Sequence, residues 1–396
     1  MKKLSSHATA VQASTTLAID SLYKQMRADG VDVIGFGAGE PDFGTPEHIK
    51  RAGIRAIQED FTKYTPAAGI PDLRKAVCTR LKLDFDLNYK PSEIVIASGA
   101  KHVLYVALQT ITDPGDEIII PAPYWVSYVE MVRMVRGTPV VVTATEEEGF
   151  KLTPEKLEAA ITPRTKALML NNPSNPTGMV YSREELKALA DVCVKHDLYI
   201  LSDEIYCNLV YDGRTFTSFP TLSPEVKERT ILINGVSKSY AMTGWRIGYA
   251  AAREDIVQAM GNYLSHSTGS PASFAQKGAV EALVGPQEEI AAMCKAFEAR
   301  RNHFVERMNA IKGVSCLKPE GAFYIMMNIQ KLKGKTLHGV TIQNADDFSS
   351  IFLKEGLVAT VPCTGFGDGD FVRWSYATSM ENIDEGLNRL EKFLHG

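Results

Sequence analysis

The segment from Arg164 to Ser202 leaves this chain few choices of fold. Ala167 to Leu170 is a purely apolar run with the length of a buried strand. It enters Asn171-Asn172-Pro173-Ser174-Asn175-Pro176-Thr177-Gly178, a set of residues that favours turns. Ser182 then stands three residues before Glu185, the spacing of a capping box at a helix start. Leu186, Leu189, Ala190, Cys193 and Val194 hold helical period along one face, and Leu198 to Leu201 is a second apolar run. Strand, helix and strand in this order make a parallel pair with a right-handed crossover. An α/β protein is expected, with its ligand beyond the carboxyl ends of the strands. Asn175, Asp203 and Tyr206 all lie just past such ends.

Other strands bring further chemistry to the same rim. Ile94 to Ala97 is followed by Ser98-Gly99-Ala100-Lys101 and a helical stretch from His102 to Ile111. That arrangement points free backbone N–H groups at an anion, although an ordinary strand-to-helix connection has the same sequence form. Glu117 to Ile120 runs into Pro121-Ala122-Pro123-Tyr124-Trp125, whose two aromatics can form a stacking wall for a flat ligand. Ile231 to Ile233 breaks at Asn234-Gly235, passes Ser237-Lys238-Ser239, and resumes as Ile247 to Ala251. Burial between two strands lowers a lysine's pKa, and a neutral amine can form an imine with a carbonyl. Arg246, eight residues on, is a fixed cation with a fork of donors for phosphate or carboxylate. Taken by itself, the stretch also fits a solvated loop lysine and a surface arginine. Asp203 needs a partner if it is buried: either a helix end that it caps, or Lys238 on the same rim.

Composition excludes several classes. The 396 residues suggest two or three domain-sized units, at roughly 150 residues each. A 45% hydrophobic and 23% charged chain is an ordinary globular one, and a net charge of -4 argues against nucleic-acid binding. No apolar run approaches the roughly 18 residues of a membrane span, and MKKLSSHATAVQAS lacks the apolar centre of a signal peptide. The six cysteines form no C-x-x-C pair and the histidines no ligand spacing, so neither a disulfide framework nor a metal site is expected, and a reducing cytoplasm fits. Gly35, Gly37 and Gly39 do not complete G-x-G-x-x-G, because position 40 is Glu, so no dinucleotide fold is indicated. Elsewhere the pattern predicts a helix over 14–29 and a strand over 31–36. Thr45 is expected to cap a helix with Pro46 at its first position, and another helix to start near Asp72. Residues 288–308, 346–355 and 381–394 read as helices, 321–327 as a strand, and 331–340 as a polar loop.

NNPSNPTG, SDEIY and SKSYAMTGWRIGYA, in that order and spacing, resemble the class I aminotransferases among the fold type I pyridoxal phosphate enzymes. The resemblance runs from the Ala38-Gly39-Glu40-Pro41-Asp42-Phe43 loop to Arg373 in FVRWSYAT, and is strongest to the bacterial aspartate aminotransferase branch. It implies a large domain (46–289) with a mostly parallel seven-stranded sheet between helices. A smaller α+β domain would be built from both termini (1–45 and 290–396). It implies pyridoxal 5'-phosphate as cofactor, with Lys238 as the imine-forming lysine and proton carrier and Asp203 as the partner of the pyridine nitrogen. By the same resemblance Asn175 and Tyr206 bind the ring's phenolate oxygen, and Trp125 stacks on the ring. Arg246, Ser237 and the turn at Gly99, Ala100 and Lys101 would hold the phosphate. Tyr64 would reach the phosphate of a second subunit, which implies a homodimer. Arg373 would clamp the substrate α-carboxylate, and Gly39 would close over the substrate.

The departures bear on the substrate. In the animal-type branch a partner-chain arginine binds the distal carboxylate, and the matching stretch here, Ser265 to Pro271, has none. In the bacterial branch a lysine at the position of Lys101 makes that contact, so a dicarboxylic amino acid is expected, with L-aspartate and 2-oxoglutarate giving oxaloacetate and L-glutamate. A structural cation near the phosphate is the other reading of Lys101. Gln12 stands where relatives that also transaminate prephenate can carry a cation, which argues against that second activity. The alternatives on the same scaffold are a β-lyase or a transaminase for alanine, aromatic or prephenate substrates. A pyridoxal-dependent regulator would need an added basic DNA-binding domain, for which no segment is evident.

Overall fold

The computed structural model describes residues 2–11 and 15–395. Seven strands form the main sheet, in the order Ile94–Ala97, Gly248–Ala251, Thr230–Gly235, Tyr199–Asp203, Thr165–Asn171, Glu117–Ala122, Thr138–Thr143. The last five in that order are parallel to one another, and Gly248–Ala251 is antiparallel to both of its neighbours. The parallel pair expected from the Arg164–Ser202 segment is Thr165–Asn171 with Tyr199–Asp203, and the mostly parallel seven-stranded sheet that the resemblance implies is present, with one reversed strand. The reversal is the return of the chain after the Lys238 loop.

Both faces of the sheet are covered, which explains why its strands read as continuous apolar runs. Ile118, Ile120, Met169, Leu201, Ile231 and Ile233 face one core, together with Val103, Leu104 and Ala107 of the helix Ala100–Ile111. The intervening Ile119, Leu168, Leu170 and Ile200 face the other, against Leu186, Leu189, Ala190 and Cys193 of the helix Arg183–Lys195. Each fully buried Ile, Leu, Met or Val among these contributes about 1.5–3 kcal/mol. The helix Arg183–Lys195 begins as expected: Glu185 N donates to Ser182 Oγ at 3.2 Å, and Ser182 N donates to Glu185 Oε2 at 2.6 Å.

A second assembly is antiparallel. Val361–Pro362, Phe371–Ser375, Tyr324–Asn328 and Ser315–Cys316 form a four-stranded sheet in that order. The helices Glu288–Ala310, Ala345–Gly356 and Met380–His395 pack around it through Phe297, Phe304, Phe352, Trp374 and Phe393. Phe36 joins this core, its ring centroid 4.8 Å from that of Trp374. The N-terminal segment is thus tied to the C-terminal third, and Ile34–Gly35 pairs in parallel with Val358–Ala359.

Four local expectations differ. The strand over 321–327 starts later, as Tyr324–Asn328, because Ala322 and Phe323 form a turn. The strand over 31–36 shortens to Ile34–Gly35, the two residues in register with Val358–Ala359, while Phe36 N still donates to Ala359 O and Phe36 O accepts from Ser375 N. Thr45 does not cap the helix Glu47–Gln58, whose N-cap is Pro46. Its hydroxyl donates instead to Ala241 O at 2.7 Å and accepts from Trp245 Nε1 at 3.2 Å, tying this segment to the loop that carries Lys238. The polar stretch 331–340 is not all loop: it enters a small hairpin, Thr336–Leu337 with Val340–Thr341. Among the described residues no helix is long and apolar enough to cross a membrane.

Candidate active site

The carboxyl ends of the parallel strands open into a cavity of about 600 Å³. It is lined by Gly39, Ala100, Lys101, Trp125, Asn175, Asp203, Tyr206, Ser237, Lys238, Arg246 and Arg373, eleven of the thirteen residues singled out from the sequence. They arrive from several pieces of the rim. Asp203 ends Tyr199–Asp203, and Lys238 lies three residues past Thr230–Gly235. Trp125 follows Glu117–Ala122, and Arg373 projects from the antiparallel sheet. Gly99 stands at the helix N-terminus beside Arg246. Tyr64 is not among these residues: its side chain is fully exposed on this chain's surface. Gln12 lies outside the described residues.

At one end of the cavity is an anion cradle. Gly99 precedes the helix Ala100–Ile111 at φ +84°, and no side chain caps that helix. A Cβ at Gly99 would lie 2.4 Å from Arg246 Nη2, so only glycine lets the guanidinium approach the helix end. Arg246 sits in the left-handed region, at φ +56°. Its Nη1 donates to Thr243 O at 3.0 Å and its Nη2 to Ser98 O at 3.1 Å. Among the described residues it has no carboxylate partner. Free helix N–H groups and an uncompensated guanidinium suit a phosphate.

At the other end lies Asp203, buried at 3% exposure. Tyr128 Oη donates to Asp203 Oδ2 at 2.6 Å, and Ile205 N donates to Oδ1 at 3.3 Å. Burial raises its pKa to about 6; these two bonds and the Lys238 charge oppose the rise. The backbone of Asp203 is also fixed, since Asn171 Nδ2 donates to Asp203 O at 2.9 Å. Asn171 Oδ1 in turn accepts from Asn175 N at 2.8 Å, which positions Asn175.

Lys238 lies between these ends. Desolvation brings its pKa down to about 8; the Glu40 carboxylate opposes this, and Arg246 and Arg373 add to it. Its ammonium donates to Gly39 O. Glu40, the next residue, accepts from Thr243 Oγ1 at 2.7 Å, so the Gly39 loop is joined to the lysine loop. Arg373 is buried at 1% exposure without a carboxylate partner among the described residues. Its Nη1 donates to Asn175 Oδ1 and its Nη2 to Gly37 O, both at 2.9 Å, while its Nε has no partner. Lys101 Nζ lies 4.7 Å from the Trp125 ring centroid, and burial, then Arg246, lowers its pKa.

Sequence reasoning missed Tyr128, Tyr324 and Asn171. Tyr128 stands three residues after Trp125, one helical turn on, which is the spacing that could have flagged it. Tyr324 had no such signal, because it comes from the antiparallel sheet.

A mostly parallel sheet whose rim gathers a buried lysine, an anion cradle and a buried carboxylate has the architecture of a fold type I α/β transferase. Residues 31–390 match the family described as aminotransferase class I and II. The chain belongs to that family and is an aminotransferase. Within the family it is similar to bacterial aspartate aminotransferases. It is 49% identical over 392 residues to the aspartate aminotransferase of Bacillus subtilis (strain 168), covering 99% of each chain. It is 48% identical over 398 residues to the aspartate/prephenate aminotransferase of Cereibacter sphaeroides, covering 100% of each. The crystal structure of the aspartate aminotransferase from Rhizobium meliloti superposes with a TM-score of 0.96 at 42% identity, covering 99% of each chain. That of Thermus thermophilus with maleate gives 0.93 at 42%, covering 99% of this chain and 100% of that one.

Proposed function

We propose that this chain exchanges the amino group of L-aspartate for the keto oxygen of 2-oxoglutarate, giving oxaloacetate and L-glutamate, with pyridoxal 5'-phosphate held at Lys238. One observation carries the reading: Asp203, Arg246 and Arg373, the first and last of them buried, share one cavity with Lys238, and among the described residues none of the three has a salt-bridge partner. Buried charges left unpaired by the fold need a ligand of matching charge. A phosphate suits Arg246 and the Gly99–Lys101 helix end, with Ser237 beside them. A protonated pyridine suits Asp203, an α-carboxylate suits Arg373, and a flat ring suits the Trp125 face. Asn175 and Tyr206 supply the polar contacts for a ring oxygen.

When bound, that cofactor supplies a carbonyl for the Lys238 amine and a ring that draws electrons from the substrate Cα. Once the substrate amine displaced it, the freed Lys238 Nζ would take the proton from Cα and deliver it to the cofactor's carbonyl carbon. Arg373 fixes the α-carboxylate so that the Cα–H bond faces Lys238, and the Gly39 loop excludes water. Lys101 takes the distal carboxylate.

Three further elements go with this reading. The small α+β domain comprises 1–45 and 290–396, and 46–289 forms the large one; the core around Phe36 and Trp374, drawn mainly from the first two segments, supports the division. The enzyme works as a homodimer with Tyr64 lent to the second subunit's phosphate, which accounts for a tyrosine wholly exposed on one chain. A cytoplasmic setting fits six unpaired cysteines.

The test is a half-reaction screen. Cofactor-loaded protein is mixed with single amino acids and its visible absorbance followed. Aspartate and glutamate should bleach the band; if only alanine or phenylalanine does so, the substrate reading fails. Lys101→Ala should raise KM for aspartate and leave that for alanine near its starting value.

A further inference from the structure

Tyr324 opens the strand Tyr324–Asn328 of the antiparallel sheet, yet its side chain lines the cavity. Three parts of the site meet on it. Its hydroxyl lies 2.9 Å from that of Tyr206, close enough for one shared hydrogen bond. The Arg373 guanidinium carbon lies 4.5 Å from its ring centroid, stacked on its face. The Gly39 loop passes near its hydroxyl, where a Cβ at residue 39 would come to 3.5 Å. Tyr206 and Tyr324 are both buried, and their rings meet edge to face, so neither hydroxyl can turn to bulk water.

A phenol has one proton to donate. When Tyr206 donates to Tyr324, it has none left for another acceptor. When Tyr324 donates to Tyr206, the Tyr206 proton is free to point into the cavity. We propose that Tyr324 is a positioning residue that competes with the cofactor's ring oxygen for the Tyr206 proton, and that a carboxylate arriving at Arg373 tips this competition toward Tyr324. The inference rests on the cofactor reading given above. A carboxylate is a stronger acceptor than a phenol, so it draws the Tyr324 proton toward itself. Tyr324 then accepts from Tyr206, and the ring oxygen loses a donor. A donor on that oxygen stabilises its negative charge and favours loss of the imine proton. Removing the donor on substrate binding therefore raises the pH at which the proton is lost, in time for the exchange with the incoming amine. Arg373 thereby affects the reacting end of the site as well as the substrate end.

The experiment is a pH titration of the visible absorbance of the cofactor-loaded protein, alone and with saturating maleate as a non-reacting dicarboxylate. In wild type, maleate should raise the midpoint. Tyr324→Phe keeps the ring and its contact with Arg373 but removes the competing hydroxyl. Its midpoint without maleate should fall by roughly half a pH unit or more, and maleate should raise it less than in wild type. Tyr206→Phe should move the midpoint up, and adding Tyr324→Phe to it should change nothing further, since the shared proton is gone. An unchanged or raised midpoint in Tyr324→Phe overturns the inference, as does a full maleate response. A protein that gains no Lys238-dependent colour with pyridoxal phosphate fails at the cofactor reading instead, so the two failures are distinguishable.

Discussion

Tyr128→Phe should shift the pH range over which the cofactor binds. The 2.6 Å bond from the Tyr128 hydroxyl to Asp203 Oδ2 is charge-assisted and buried. Losing a hydrogen bond to a charged group costs about 1.5–3 kcal/mol, or about 1–2 pKa units. Burial already holds Asp203 at about 6, so the variant's carboxyl should titrate at about 7–8. The cofactor reading needs Asp203 ionised. Below its pKa, affinity therefore falls about tenfold per pH unit, the cost of removing the proton. Near pH 6 wild type loses about twofold and the variant about 10- to 100-fold, a ratio of about 5–50. Near pH 8.5 the ratio should be under about 2. The cofactor's own titrations are common to both proteins and cancel. Dissociation constants from fluorescence quenching across that range supply the measurement. A ratio that stays constant with pH would refute the role given to Tyr128, because it would mean that the hydroxyl matters for packing and not for the charge of Asp203.

If Arg373 clamps the α-carboxylate as proposed, Arg373→Gln removes two charge-assisted donors from it, and steady-state kcat/KM should fall at least about 100-fold for mono- and dicarboxylic amino acids alike. A loss confined to dicarboxylic substrates would place Arg373 at the distal carboxylate instead. Gly99→Ala puts a Cβ 2.4 Å from Arg246 Nη2 at φ +84° and should displace that guanidinium. Calorimetry should show pyridoxal phosphate bound about 10- to 100-fold more weakly, with pyridoxal itself little affected. Ser182→Ala, far from the cavity, loses its half of the capping box and about 1 kcal/mol, which should lower the melting temperature slightly while kcat is retained.

Much of this was legible in the sequence because a parallel sheet writes its rim in one dimension. Every strand that ends in a turn deposits its next few residues at the same edge, so Asn175, Asp203, Tyr206, Lys238 and Trp125 could be placed together from strand ends alone. Arg373 could be placed only through the family resemblance, since nothing local to FVRWSYAT says which sheet it joins or what it faces. Tyr324 was missed for that reason. Its neighbours Tyr206 and Arg373 are 118 and 49 residues away, and the strand that carries it reads as ordinary core. Thr45 shows the opposite error. Its sequence context is that of a helix cap, but Ala241 O and Trp245 Nε1 compete for its hydroxyl and win, because the Glu47–Gln58 helix packs against the lysine loop. Local rules set where elements start; tertiary contacts decide which side chains are left to serve them.

The placement of charge explains why the site sits where the two assemblies meet. Asp203 and Arg373 are both almost fully buried, and both lie in the same cavity, yet they are not paired with each other. Pairing them would satisfy the fold and leave nothing to bind. The structure keeps them apart by giving each a neutral partner: Tyr128 for Asp203, and Asn175 with Gly37 O for Arg373. Neutral partners relieve part of the desolvation cost without cancelling the charge. The residual cost appears as the raised Asp203 carboxyl, the lowered Lys238 ammonium and the unpartnered Arg373 Nε. The main sheet supplies Asp203 and the antiparallel sheet Arg373, so a ligand that pairs with both must touch both assemblies. On the proposed reading, such a ligand gains most when the two are drawn together, and binding energy at Arg373 goes into closing the Gly39 loop over Lys238.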